Sequence, residues 1–209
     1  MIDPRSQATR ASYDTVAESY DRLVRSSLPE MPFDRALLAV FAELVDGPVL
    51  EVGCGTGRIT AHLGGLGVEI SGVDLSPGMV EVARREHPGH RFEVGAMQDL
   101  AVPDGALGGV VAWYSTVHTP TADLLATFTE LARVLAPGGH LLTAFKAGDR
   151  VTPLRHAYGH DVDLEVHWHP VDAVADAITG AGLTEVARLV RAPHGPEKGP
   201  QGGLIARKA

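Results

Sequence analysis

The 209-residue sequence predicts a doubly wound α/β domain, a mainly parallel seven-stranded sheet with helices on both faces. Three observations predict it. From residue 49 onward short apolar strands alternate with stretches of helical periodicity. A three-glycine turn joins the first of those strands to its helix, and Gly or Pro separates most of the later elements.

Composition agrees with a globule that buries a core, since 44% of residues are hydrophobic and 21% charged. Asp and Glu outnumber Lys and Arg 26 to 18, for a net charge of -8, and no basic cluster interrupts that surface. Such a surface repels phosphate backbones, so nucleic acid is not an expected partner. Cys54 is the only cysteine and can form no internal disulfide, which fits a reducing compartment. The opening Met1-Ile2-Asp3-Pro4-Arg5-Ser6 lacks the apolar stretch of a secretory leader. No apolar run approaches the ~20 residues that span a bilayer, so no membrane association is expected and a cytoplasmic location is.

Two helices come first. Residues 9–28 carry Tyr13, Val16, Ala17, Tyr20, Leu23 and Val24 at helical spacing, and residues 33–45 repeat the pattern before a break at Gly47-Pro48. Strands are then expected at 49–53, 69–75, 91–94, 109–115 and 140–145, with helices over 59–66, from Ser76-Pro77 onward, and over 121–136. Ser76 is a preferred N-cap residue and Pro77 suits the first helical position. Pro137-Gly138-Gly139 should stop the third of these helices. One more helix runs from Pro170 to about Ala181, followed by strands at 184–191 and 202–207. Residues 146–169 read as an interruption, and Pro193 to Pro200 as a loop. The whole reads as one domain over 1–209, divided into an N-terminal helical lid (1–46), a cofactor-binding core (47–145) and an acceptor-side segment with the last strands (146–209).

The most informative stretch is Val49-Leu50-Glu51-Val52-Gly53-Cys54-Gly55-Thr56-Gly57-Arg58. Its glycines let the backbone turn sharply and approach a ligand beside the positive end of a helix. Dinucleotide binders space their glycines G-x-G-x-x-G, whereas this loop is G-x-G-x-G preceded by an acid. A pyrophosphate gains nothing from a neighbouring carboxylate, while a methionine-like ammonium or sulfonium is compatible with one. Asp74 ends the second strand, across the sheet crevice, where a carboxylate can accept both hydroxyls of a ribose.

These motifs resemble the class I S-adenosylmethionine-dependent methyltransferases, over roughly residues 12–145. VLEVGCGTGRIT is similar to the family's first motif and GVDLSPGMVEVAR to its second. GAMQDLAVPDGALGGVVAWYSTVH resembles the third and fourth, and LARVLAPGGHLLTAF the fifth. The resemblance implies a Rossmann-like fold, S-adenosyl-L-methionine as cofactor with S-adenosyl-L-homocysteine as product, and a small-molecule methyl acceptor reacting through oxygen or nitrogen. It implies that Glu51, Gly53 and Gly55 line the methionine part and that Asp74 holds ribose. Leu75 and Met79 would pack on adenine, with Ala96, Met97 and Gln98 at its edge. Tyr20, with Arg58, would reach the methionine carboxylate. Tyr13 to Asp21 resembles a helix that closes over the cofactor, which places Tyr13 beside it, and Tyr114 would line the pocket. One departure stands out: many members carry an acid where this chain has Ala96, so Gln98, Asp99 or a backbone carbonyl would take that part. A non-catalytic cofactor-binding module and a nicotinamide-dependent oxidoreductase are the alternatives, the latter disfavoured by the glycine spacing.

Methyl transfer from a sulfonium is an in-line displacement, so the protein positions the acceptor and removes a proton where one must leave. His118 follows the fourth strand at the sheet's carboxyl edge, where it could serve as base, as positioning group or as a helix cap. Cys54 reads as a small buried apolar side chain. His156, His160, His167 and His169 cluster with Asp161, Asp163 and Glu165. His167 and His169 would share a strand face, but no third ligand accompanies them, so no metal is expected. With Tyr158 and Trp168 this segment is expected to wall part of the acceptor pocket.

Overall fold

The computed structural model describes residues 4–209. Met1, Ile2 and Asp3, which belong to the leader reading and to the 1–209 span, lie outside the described residues. Five strands alternate with helices: β1 (Val49–Val52), α3 (Arg58–Gly65), β2 (Ile70–Asp74), α4 (Pro77–Glu86), β3 (Phe92–Val94), β4 (Leu107–Trp113), α5 (Leu124–Val134) and β5 (Leu135–Lys146). Before them come α1 (Pro4–Val24) and α2 (Pro32–Leu44). After them come β6 (Arg150–Ala157), β7 (His160–Trp168), α6 (Val171–Gly180), β8 (Leu183–Arg191) and β9 (Gln201–Lys208).

Seven strands form one sheet in the order β3-β2-β1-β4-β5-β9-β8. The pairings from β3 through to β5 are parallel, whereas β9 lies antiparallel between β5 and β8. The order reverses between β1 and β4, which opens a crevice at their carboxyl ends. Parity along the strands sorts side chains to two faces. Val110, Ala112, Leu141 and Phe145 pack with α5 and α6, while Val111, Trp113, Leu142 and Ala144 pack with α2 and α3. Both faces are therefore covered, as a parallel sheet requires.

Three expectations change. The first helix begins at Pro4 rather than near residue 9. Pro137-Gly138-Gly139 ends α5 but lies inside β5: Leu135 pairs with Leu107, the register shifts, and pairing resumes at His140 with Gly109. A left-handed Gly138 (φ 82°) makes that bulge possible. The interruption after residue 146 is a β-hairpin of β6 and β7. Its turn, Tyr158-Gly159, has both φ angles positive (56° and 82°), the conformation that matches strand twist in a tight hairpin.

The hairpin and α1 pack on each other. Val16 and Ala17 of α1 meet Met79 and Val82 of α4 and Val162 and Leu164 of β7 in a small apolar cluster apart from the main core. Ser12 completes the β7 edge, its hydroxyl accepting from the Asp163 N–H at 3.0 Å. At the far side of the molecule Arg191 of β8 binds Asp34 of α2 (3.0 Å) and Glu197 (2.6 Å), tying the 193–200 loop down. No helix among the described residues is long and apolar enough to cross a membrane.

Candidate functional site

The crevice opens into a cavity of about 900 Å³, its open mouth included. The β1–α3 loop forms its floor. Gly53 (φ 65°) and Gly55 (φ 54°) are left-handed there, a conformation L side chains rarely adopt. A Cβ on Gly53 would stand 2.4 Å from that of Ser115, so the loop and the chain after β4 meet only because the glycine has no side chain. Tyr114 is left-handed too (φ 56°), an uncommon state for an aromatic residue and one associated with functional sites.

Asp74 ends β2 against that loop. Its Oδ2 accepts from the Gly55 N–H at 2.7 Å and its Oδ1 from the Ser76 N–H at 2.9 Å. Burial raises its pKa, opposed by these two backbone hydrogen bonds. Ser76 caps α4 as its sequence suggests, its hydroxyl accepting from Met79 N–H at 3.0 Å and donating to Asp14 of α1 at 2.6 Å. Helix α1 thus roofs the cavity, with Tyr13 and Tyr20 in its lining.

Of the residues expected in the site, Tyr13, Tyr20, Gly53, Gly55, Asp74, Leu75, Met79, Ala96, Met97, Gln98, Tyr114 and His118 all line this one cavity. Two do not. Glu51 is 2% exposed beneath the loop, where Thr60 donates to it at 2.5 Å. Burial pushes its carboxyl up to about 8, against that hydrogen bond and the nearby Arg58. Arg58, at the start of α3, has a buried Nη1 without a hydrogen-bond partner. Gln98 lines the cavity beside Ala96, while the Asp99 N–H bonds the Ala96 carbonyl and Asp99 stays outside the lining.

Burial lowers the pKa of His118, the Glu165 carbonyl opposing. Its Nδ1 lies 2.7 Å from that carbonyl, in β7, and its Nε2 lies 2.8 Å from the Tyr13 hydroxyl. The rest of the histidine-rich segment does not reach the cavity. Tyr158 packs edge-on to Tyr20 at 5.2 Å, and Trp168 lies beneath the Arg150 guanidinium, 4.1 Å from its ring centre. His167 and His169 stack at 6.2 Å, and Thr121 holds His169 at 2.9 Å. Among the described residues no group of three potential ligands could hold a metal ion. Ser115 lines the cavity beside Tyr114, as its place after the fourth strand suggests, whereas sequence reasoning missed Thr9 and Thr119. Thr9 lies four residues before Tyr13, so the helical spacing of α1 carried a signal that its polar residues obscured.

The residues present fit a methionine-bearing nucleoside. Buried Arg58 Nη1 and the cavity-lining Ser115 Oγ lack partners, Asp74 is an acceptor at the crevice, and the loop glycines leave room where a Cβ would intrude.

Residues 49–139 match the family described as a methyltransferase domain. The malonyl-[acyl-carrier protein] O-methyltransferase of Serratia marcescens is 30% identical over 161 residues, covering 77% of this chain and 61% of that protein. The demethylmenaquinone methyltransferase of Tropheryma whipplei is 30% identical over 139 residues, covering 64% of this chain and 56% of its own length. The chain therefore spans about three fifths of these relatives. In fold it is similar to the Burkholderia thailandensis 1,6-didemethyltoxoflavin-N1-methyltransferase solved with 1,6-didemethyltoxoflavin and S-adenosylhomocysteine. That likeness has a TM-score of 0.73 at 20% identity and covers 100% of this chain and 92% of that one. Residues 49–139 are thus a methyltransferase domain, and by its motifs and sheet order the chain is similar to the class I S-adenosylmethionine-dependent methyltransferases.

Proposed function

We propose that this protein transfers a methyl group from S-adenosyl-L-methionine to an oxygen or nitrogen of a small molecule. The observation that carries this reading is the single cavity joining the glycine loop, Asp74 and His118 beneath α1. The names of the similar proteins, which specify O- and N-methylation, support both acceptor atoms.

Bound in the cavity, the cofactor supplies a methyl group on an electron-poor sulfur. Asp74 would hold the ribose hydroxyls with the carboxylate lone pairs that Gly55 and Ser76 leave free. Leu75, Met79 and Met97 would cover the adenine, with Ala96 and Gln98 at its edge. Tyr20 would reach the methionine carboxylate, with Arg58 and the buried Glu51 supplying charge and polarity to the methionine end from outside the cavity lining. Tyr13 and Tyr114 would close the methyl end, and His118 would handle the acceptor's proton. Helix α1 excludes water from above. The same reading divides the chain into a lid over 1–46, a core over 47–145 and an acceptor-side segment beyond. The Phe145–His169 and Tyr20–Tyr158 contacts then tie that segment to the core and to the lid.

Calorimetry with S-adenosylhomocysteine and, separately, with NADH tests the cofactor. Release of S-adenosylhomocysteine from S-adenosylmethionine, scanned over small phenols, hydroxy acids and amines, tests the activity. Tight binding without turnover on any acceptor would favour a non-catalytic module, and binding of NADH alone would favour an oxidoreductase.

A further inference from the structure

The two hydrogen bonds of His118 have a direction. A backbone carbonyl only accepts, so at 2.7 Å from the Glu165 oxygen Nδ1 carries the ring hydrogen. In the neutral imidazole Nε2 then holds a lone pair, and the Tyr13 hydroxyl, 2.8 Å away, donates to it. The basic nitrogen is therefore covered by a phenol that itself lines the cavity. Each partner comes from a different element: Tyr13 from α1, His118 from the turn after β4, and Glu165 from β7.

We propose, resting on the methyl-transfer reading above, that Tyr13 is the catalytic group that receives the acceptor's proton and that His118 acts through it. In this relay the acceptor's O–H proton moves onto the Tyr13 oxygen as the Tyr13 proton moves onto His118 Nε2. The freed acceptor oxygen bonds the methyl carbon, whose bond to sulfur breaks with its electron pair staying on sulfur. One positive charge leaves the sulfur and one appears on the imidazole, so the net charge of the closed site is unchanged. Opening of α1 then lets the imidazolium return its proton to water. Besides Tyr13, the titratable groups facing His118 are His167 of β7 and Lys146 of β5, neither of which lines the cavity. Both disfavour a charged imidazole and so favour that return. The relay exists only when α1 and the hairpin are both in place, which ties proton removal to closure.

The test uses the full chain, 15N-labelled at histidine and loaded with S-adenosylhomocysteine. Long-range nitrogen–proton spectra should show His118 as the Nδ1-protonated tautomer, the minority form of free imidazole. In Tyr13→Phe the His118 titration midpoint should rise by roughly half to one pH unit, because the lost hydrogen bond favoured the neutral ring. A turnover arm compares phenol with thiophenol, which is largely ionised near neutral pH and needs no base. Tyr13→Phe and His118→Ala should each slow phenol methylation by roughly 10²–10⁴-fold and spare thiophenol. An Nε2-protonated ring, an unmoved midpoint, or equal losses on both acceptors would overturn the relay. Cofactor binding without methylation of either probe counts against the proposed function, and the spectra still decide the relay.

Discussion

The carboxylate of Asp74 is bonded to the backbone of Gly55: Oδ2 accepts that N–H at 2.7 Å, while Oδ1 accepts from Ser76 at 2.9 Å. One side chain thus holds the glycine loop to the end of β2 and still presents lone pairs to the cavity. Its loss should weaken cofactor binding in two ways, by removing an acceptor for ribose hydroxyls and by freeing the loop.

For Asp74→Ala the expected cost is on the order of 2–4 kcal/mol of S-adenosylhomocysteine affinity, measured by calorimetry. Asp74→Asn keeps one oxygen acceptor and should fall between the two. Thermal melting confirms that each variant is folded. Unchanged affinity in a folded Asp74→Ala would place the ribose elsewhere.

A second prediction concerns Glu51, whose buried carboxyl is pushed up to about 8. Between its unfolded value of 4.5 and that point, the folded chain holds a proton that the unfolded chain has released. Stability must therefore fall as pH rises through this window, by at most about 1.4 kcal/mol per unit. Burial lowers His118, His167 and His169, whose effect is opposite in sign and confined to pH below their ordinary value of 6.5. Urea denaturation without ligand near pH 7 and near pH 8, run on the natural chain and on Glu51→Gln, isolates Glu51 from the other shifted groups such as Asp74 and Lys146. Glu51→Gln should flatten the difference; an equal slope in both proteins would show that Glu51 is ionised in the fold.

Closure supplies the third prediction. Ser12 is 6% exposed and bonds the Asp163 backbone, and Val16 and Ala17 share an apolar cluster with Val162 and Leu164. Residues 9–28 and the hairpin should move as one lid. Adding S-adenosylhomocysteine should raise hydrogen-exchange protection of both segments together. Ser12→Ala leaves the Asp163 N–H without its partner and should lower protection of the hairpin as well as of α1. Protection unaltered by the ligand in either segment would argue against a lid, and a gain confined to α1 would argue against the coupling.

Sequence alone determined the βαβ core, because alternation of apolar strands with amphipathic helices is a local property that parallel pairing and right-handed crossover convert into one topology. It also located the glycine loop, Asp74, and His118 at the end of β4, since each occupies a strand terminus and the crevice lies at those termini. Boundaries slipped where local rules competed with pairing: Pro137-Gly138-Gly139 stops a helix, yet the adjacent β4 draws Leu135 into the sheet. Only the tertiary structure decided the rest. Strand β6 is largely solvent-facing and shows no apolar alternation, and the hairpin's partner α1 lies over a hundred residues away. Glu51 and Arg58 sit in the motif by sequence but outside the cavity lining in space, Glu51 turned under the loop onto Thr60. The Tyr13–His118 bond joins residues 105 positions apart. No periodicity encodes such a contact; it exists because three elements, each placed by its own packing, converge over the same crevice.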